Sequence, residues 1–312
     1  MNKTILVLIL PIFLFAQTLL PHREFKANGM IYEFLISDNK IYSATDKGEI
    51  DIFSLESAKL VETIKFPTIP NFYGENIPAK LYSIDKFKNK ILILSESEYG
   101  GRTIYLSENG KIRKILNSRS PIKKVRFIND VLFMYATLGN EIVLYDLWNN
   151  KQIYKKQINS SPFSDFSIYN DEVAIACESG EISIANIWTG DILDILKGGN
   201  LDNVYKLVFQ NNIIVGAGQD RQVGIYQRKT GKYSQVKAEF IIYSVGLSAD
   251  GKIGAYPYNQ NNEIKIFETK SGNILHILKG QKATLNTMKF IDKQTLLTSS
   301  DDEYILEWKL LP

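Results

Sequence analysis

Cysteine and histidine are scarce in this chain of 312 residues, which excludes most sites built from them. Cys177 is the only cysteine, so no disulfide can form within the chain. The two histidines, His22 and His276, are too few for zinc sites of three histidines, four cysteines or two of each. Lys and Arg total 37 against 34 Asp and Glu, without a basic block, so the charge does not predict a nucleic-acid ligand.

Motifs of catalysis are missing as well, since no GxSxG, HExxH, Walker or EF-hand pattern occurs. Cys177 ends an apolar run, 173–177, with no histidine near it in sequence, which is typical of a buried and unreactive thiol. Asp220, Asp301 and Asp302 could in principle converge to hold Ca2+, but Asp in strand-connecting turns mostly bonds its own backbone. We therefore expect no catalytic residue, no cofactor and no metal ion.

The N-terminal segment has the pattern of an export signal. Lys3 precedes an apolar run, 5–15, that suits the core of a signal peptide and is too short to span a bilayer as a helix. Cleavage is expected near the small residue Ala16, and the alternative is an uncleaved N-terminal anchor. We expect residues 1–16 to be a signal peptide and 17–312 to be one exported domain without a stable membrane span after cleavage.

A short alternating run recurs along the rest of the chain. From residue 142 onward the runs start 40, 41, 41 and 41 residues apart, and one more fits between the first run and residue 142. A fixed period of this length is typical of stacked supersecondary units. The seven runs are 50–53, 103–106, 142–145, 182–185, 223–226, 264–267 and 305–308.

Polar turns flank each run and give each unit four strands. The turn after the run contains pairs such as Asn109-Gly110 and Thr189-Gly190, and the turn before it contains pairs such as Gly139-Asn140. Gly and Asn supply the positive φ that tight hairpin turns need. Seven units of four antiparallel strands predict an all-β chain folded as a single seven-bladed β-propeller.

The last unit, LKGQKATLNTMKFIDKQTLLTSSDDEYILEWKL, resembles the WD40 repeat family, and the stretch LKGGNLDNVYKLVF is similar. Gln281 stands where the family's Gly-His dipeptide would place His, and the Trp-Asp signature survives only as Tyr145-Asp146 and as Trp308 followed by Lys309. These departures put in question the buried Asp-His-Ser-Trp network of typical members. They leave the aliphatic pattern of the strands intact.

The seventh unit lacks its outermost strand, because the sequence ends soon after Trp308. The stretch 18–26 precedes the first unit and is available to supply this strand. Pairing the two ends would close the ring and cover an exposed strand edge. We expect an N-terminal strand to complete the last blade.

The surplus between the first two units is a proline-rich insertion, 66–78, that carries Phe72 and Tyr73. Insertions between blades share a face with the loops that join the second and third strands. Exposed aromatics and Arg are enriched at protein interfaces, so this rim is the predicted interaction site. The alternative is that the insertion only packs over its own blade. The predicted rim consists of Phe72, Tyr73, Tyr99, Arg102, Arg221 and Tyr258. Lys124 and Arg126 alternate with apolar residues, as on a solvated strand face.

Taken together, the export signal, the seven degenerate WD40-like units and the Ile, Lys and Asn-rich chain resemble the NapL proteins, which are periplasmic accessory proteins of the nitrate reductase system. The resemblance implies a periplasmic, non-catalytic scaffold whose partners are nitrate reductase subunits or maturation factors. A second hypothesis is a lactonase-like enzyme, or a small-ligand or metal binder, that uses the central channel. The scarcity of histidine favours the scaffold.

Overall fold

The structure, a computed structural model, describes residues 16–310. Most of the predicted signal peptide, 1–15, therefore lies outside the described residues. Within 16–310 the chain forms 31 β-strands and one 3-10 turn, Glu98–Gly100, so the all-β prediction is confirmed. No helix in this part of the chain is long and apolar enough to cross a membrane.

Seven antiparallel sheets follow one another along the chain, and we number them as blades 1 to 7. Each blade is given from its innermost strand outward. Blade 1 contains β3 (Ile31–Ser37), β4 (Lys40–Thr45), β5 (Glu49–Ser54) and β6 (Leu60–Lys65), and two N-terminal strands, β1 (Gln17–Leu19) and β2 (Arg23–Lys26), precede it. The insertion forms a small hairpin of β7 (Ile69–Pro70) and β8 (Asn76–Ile77). Blade 2 contains β9 (Leu81–Phe87), β10 (Lys90–Glu96), β11 (Arg102–Glu108) and β12 (Lys111–Ser118).

The next three blades repeat this order. Blade 3 contains β13 (Ile122–Phe127), β14 (Leu132–Thr137), β15 (Glu141–Asp146) and β16 (Lys151–Gln157). Blade 4 contains β17 (Phe163–Tyr169), β18 (Glu172–Cys177), β19 (Ile182–Asn186) and β20 (Ile192–Leu196). Blade 5 contains β21 (Val204–Gln210), β22 (Ile213–Gly218), β23 (Gln222–Gln227) and β24 (Tyr233–Lys237).

The last two blades differ at their edges. Blade 6 contains β25 (Gly246–Leu247), β26 (Ile253–Pro257), β27 (Ile264–Glu268) and β28 (Ile274–Leu278). Blade 7 contains β29 (Leu285–Asp292), β30 (Thr295–Ser300) and β31 (Tyr304–Lys309). The innermost strands contact one another in cyclic order, with β29 of blade 7 against β3 of blade 1, so the blades form a closed ring. This confirms the seven-bladed propeller.

The second and third strands of each blade are buried on both faces because neighbouring blades cover them. One core cluster, for example, joins Ile50 and Ile52 of blade 1 to Ile91 and Ile93 of blade 2. A strand covered on both sides reads as a nearly continuous apolar run, which is the repeat seen in the sequence. The outermost strands, such as β16, are mostly exposed.

The predicted turns take the backbone conformation that their residues favour. Asn140, Asn150 and Asn262 have φ of 61°, 50° and 59°, and Gly190 has φ of 72°. Asn and Gly tolerate this left-handed region better than other residues. The turn chemistry therefore fixes the hairpins of each blade.

The N-terminal segment closes the ring as predicted. Strand β2 pairs antiparallel with β31 and places Arg23 opposite Glu307, and Phe25 of β2 is fully buried. The same segment also does something that the sequence did not predict. Strand β1 pairs in parallel with β28, so that Gln17 faces His276, and adds a fifth strand to blade 6. The segment thus ties two blades together.

Blade 7 keeps a buried hydrogen-bond network of the kind that the loss of His put in question. The Trp308 indole N–H donates to Thr298 Oγ1 (2.9 Å), and the Thr298 hydroxyl donates to Gln281 Oε1 (2.8 Å). The Gln281 amide in turn donates to Ser300 Oγ (2.5 Å). Gln can replace His here because its amide offers both an acceptor and a donor.

Candidate functional site

The innermost strands carry a β-bulge at the same place in six blades. The bulge leaves the second residue of the strand unpaired. Examples are Tyr32, between Ile31 and Glu33 in β3, and Tyr205 in β21. Bulges re-aim side chains and are common beside functional sites. The bulge residues are Tyr32, Tyr82, Lys123, Ser164, Tyr205 and Asn286. With Tyr243 of blade 6, these residues are named the mouth ring.

Below the mouth ring, the inner strands line a central channel in two levels. The upper tier is the third residue of the inner strand in six blades, and in blade 6 it is Ser244, which precedes β25 by two residues. Its members are Glu33, Ser83, Lys124, Asp165, Lys206, Ser244 and Thr287. The lower tier is two residues further along and includes Asp85, Arg126, Ser167, Val208 and Lys289. The channel has a volume of about 420 Å³, and a second cavity of about 370 Å³ lies at the mouth. Lys124 and Arg126 therefore face the channel and not a solvated outer face, which corrects the sequence-based expectation.

An ion-pair network crosses one side of the channel. Arg126 of blade 3 pairs with Glu33 of blade 1, and Ser83 of blade 2 lies between them. The Ser83 hydroxyl donates to Glu33 Oε2 (2.9 Å), and Arg126 Nη1 donates to Ser83 Oγ (3.0 Å). Burial alone would raise the pKa of Glu33, but the positive charge of Arg126 and of the channel lysines together outweighs burial and holds this pKa well below its usual range. Glu33 is therefore ionised at neutral pH.

A second pair joins blades 3 and 4. Lys124 Nζ lies 2.6 Å from Asp165 Oδ1, and the backbone N–H of Leu207 donates to Asp165 Oδ2 (3.1 Å). Burial lowers the pKa of Lys124 to about 8 even though Asp165 opposes this shift. Asp85, the third carboxylate of the channel, accepts a hydrogen bond from the backbone N–H of Phe127 (2.7 Å), and burial raises its pKa.

Aromatic and cationic side chains surround the mouth. The Arg102 guanidinium lies 4.2 Å from the centre of the Tyr82 ring, and Tyr82 packs edge to face on Tyr32 at 5.2 Å. On the other side Tyr205 and Tyr243 stack at 5.2 Å. Stacked aromatics with an Arg are typical of interface centres. The sequence-based rim included Arg102 but missed the four tyrosines.

The face around this mouth, named here the upper face, also carries the predicted insertion. Phe72 and Tyr73 at the tip of the β7–β8 hairpin are 98% and 84% exposed. The base of the insertion packs inward, since Phe66 is buried against Tyr105. The insertion is therefore anchored at its base, and the side chains at its tip do not pack on the blade. Phe72 contacts Tyr73 edge to face at 5.6 Å and extends from the surface.

The remaining residues of the predicted rim lie in loops between second and third strands. Tyr99 is fully exposed and has φ of 55°, a conformation that is rare for an aromatic residue. Arg221 is exposed and also has a positive φ of 58°. Tyr258 is half-buried, and its hydroxyl donates to Glu263 (2.6 Å). The structure thus brings Arg102 into the mouth and leaves the others spread over the upper face.

The candidate groups for catalysis and metal binding have local partners. Cys177 is buried, with its Sγ 3.1 Å from Ser179 Oγ. Asp220 and Asp302 accept hydrogen bonds from backbone amides of nearby residues, as turn aspartates do. Within residues 16–310, no group of three or more His, Cys, Asp and Glu is placed to hold a metal ion.

Comparison with known proteins gives a fold and no family. No family model matches the chain, and no curated protein matches it. The chain is similar to the crystal structure of the Myceliophteria thermophila Cps50 (Swd1) β-propeller domain, with a TM-score of 0.75, 15% sequence identity and coverage of 93% of this chain and 98% of that one. Because 1782 solved chains match, the fold alone does not select a function.

Proposed function

We propose that this protein is a non-catalytic scaffold of the bacterial periplasm that holds partner proteins on its upper face and assists a periplasmic nitrate reductase. Propellers of this fold are suited to protein interaction, because a rigid ring presents loops of fixed geometry on each face. The nitrate reductase and periplasmic parts of the proposal are supported by the resemblance of the export signal and the seven degenerate units to the NapL proteins.

One observation carries the choice of face. Phe72, Tyr73 and Tyr99 are 98%, 84% and 103% exposed on the same side of the ring. Leaving large aromatic side chains in water is unfavourable, and exposed apolar groups of this size mark interaction sites. Tyr99 adds backbone strain, which persists mostly where function requires it.

The lower face offers a weaker site. Trp148, in the turn between β15 and β16, is 84% exposed, and Trp188 of the next blade is 45% exposed. The Trp188 indole N–H is already bonded to Asp171 Oδ1 (2.9 Å). Trp148 thus serves as a matched control for loss of an exposed aromatic.

Affinity capture from the native periplasm tests the proposal. The wild type and Trp148→Ala are expected to recover nitrate reductase subunits or their maturation factors. Combined Phe72→Ala, Tyr73→Ala and Tyr99→Ala should reduce this recovery about tenfold or more, because exposed aromatic anchors contribute most of an interface's energy. Equal recovery by the triple variant would rule out the upper face. Recovery of other proteins only would rule out the nitrate reductase assignment.

A further inference from the structure

The two halves of the channel differ in charge. Glu33, Asp85 and Asp165 all lie on blades 1 to 4, where Arg126 and Lys124 pair with Glu33 and Asp165. Blades 5 to 7 contribute lysines, hydroxyl groups and no carboxylate to the two tiers. Their polar channel residues are Lys206, Ser244, Thr287 and Lys289.

Lys206 and Lys289 lack a carboxylate partner. Neither ammonium group forms a salt bridge with any residue of 16–310, although 17 such pairs occur there. Burial lowers the pKa of Lys289, Arg126 and Lys206 lower it further, and the carboxylates Glu33 and Asp85 oppose this shift without pairing with the lysine. The two lysines are therefore close enough to repel each other across the channel. Both lysines are half-buried, and removing an ammonium group from water is unfavourable unless an anion accompanies it.

The mouth adds more positive charge. Arg102 and Lys123 line the outer cavity, directly above the upper tier. The two cavities are lined by six cationic residues and by three carboxylates. This excess of three equals the net charge of the whole chain, +3, so the remainder of the protein is balanced. A cavity with an excess of one sign of charge attracts small ions of the opposite sign.

We propose that the channel wall of blades 5 to 7 binds a small oxyanion, carrying phosphate or carboxylate oxygens, between Lys206 and Lys289. The ammonium groups would bind its oxygens from blades 5 and 7. The hydroxyl groups of Ser244 in blade 6 and Thr287 in blade 7 line the same cavity. They can donate further hydrogen bonds to the anion. The volume of about 420 Å³ admits such an ion with part of its hydration shell.

This site is independent of the partner proteins on the upper face, so it is tested on the purified full-length protein. Inorganic phosphate and citrate are titrated separately by calorimetry in chloride buffer. The two titrations distinguish binding of phosphate oxygens from binding of carboxylate oxygens. At least one of them is expected to bind with one-to-one stoichiometry. Lys206→Gln and Lys289→Gln should each weaken binding about tenfold or more, because each removes a charge-assisted hydrogen bond. Lys206→Arg should retain the affinity for the anion.

Lys232→Gln is the matched control, since it removes the same charge from an exposed turn between β23 and β24. Its affinity should equal that of the wild type. A second measurement uses the wild type alone: the bound anion should protect Lys206 and Lys289, but not Lys232, from acetylation detected by mass spectrometry. The proposal is wrong if neither anion binds, if the channel variants bind like the control, or if no protection of the two lysines is seen.

Discussion

Arg126 of blade 3 and Glu33 of blade 1 form an ion pair although 93 residues and a whole blade separate them in sequence. Their side chains are only 17% and 10% exposed. Ser83 of the intervening blade bonds both partners, so three inner strands share one polar network. Such a network holds blades 1 to 3 together, because each member satisfies the buried polar groups of the others.

Removing Glu33 should therefore destabilise the propeller. Glu33→Gln leaves the buried Arg126 charge without its main partner, and breaking a buried pair in this way costs about 3 kcal/mol or more. Urea titration of the unfolding free energy measures the effect. Glu303→Gln is the control, since the Glu303–Lys26 pair is exposed and should contribute less than about 1 kcal/mol. Equal losses in the two variants would contradict the assigned importance of the pair.

The same carboxylate predicts a pH dependence. The folded-state pKa of Glu33 lies below its ordinary value of 4.5, so the folded state binds this proton less readily than the unfolded state does. The stabilisation is present above pH 4.5 and is lost as the pH falls below it. Glu33→Gln should consequently show a shallower loss of unfolding free energy between pH 6 and pH 3 than Glu303→Gln. An equal pH dependence of the unfolding free energy in the two variants would show that Glu33 does not govern the loss of stability in acid.

The N-terminal segment should be required for thermal stability. Deleting residues 19–26 removes strand β2, its pairing with β31 and the buried side chain of Phe25. Burial of a Phe side chain alone contributes about 3 kcal/mol or more, and an exposed edge of β31 adds a further cost. The melting temperature is expected to fall markedly. A truncated chain that melts at the wild-type temperature would disprove the closure by β2.

The buried network of blade 7 makes a separate prediction. Gln281→Ala removes the acceptor of the Thr298 hydroxyl and the donor to Ser300 Oγ in a buried site, which should cost about 1–3 kcal/mol. Gln152→Ala, on the exposed strand β16, should change the unfolding free energy by less than about 0.5 kcal/mol. Chemical denaturation of both variants checks this difference. Similar values for the two would mean that Gln281 does not replace the family's His in stabilising the blade.

Much of the fold could be predicted because its signals recur. The third strand of every blade is buried on both sides. Its alternating aliphatic residues therefore recur about every 41 residues from residue 142 onward. The turn residues recur for a backbone reason, since Asn140 and Gly190 adopt positive φ. Strand β1 was not predicted, because three residues, Gln17–Leu19, carry too little pattern to indicate a parallel pairing.

The channel could not be predicted because it has no repeat. At the third position of the inner strands, Glu33, Lys124 and Asp165 differ in charge, and their partners come from other blades. Alternation with apolar residues is the same for a solvated face and for a channel, so Lys124 and Arg126 could not be assigned from sequence. The mouth ring gave the one available signal, since tyrosine recurs directly after a buried residue in four inner segments: Tyr32, Tyr82, Tyr205 and Tyr243.

Binding of a partner protein at the upper face is the central claim, and site-specific photo-crosslinking in living cells tests it most directly. A photoreactive residue replaces Tyr99 on the upper face or Trp148 on the lower face, both of which are largely exposed. We predict crosslinks to a periplasmic partner from position 99 and none from position 148. Crosslinks from position 148 alone, or none from either position, would contradict binding at the upper face.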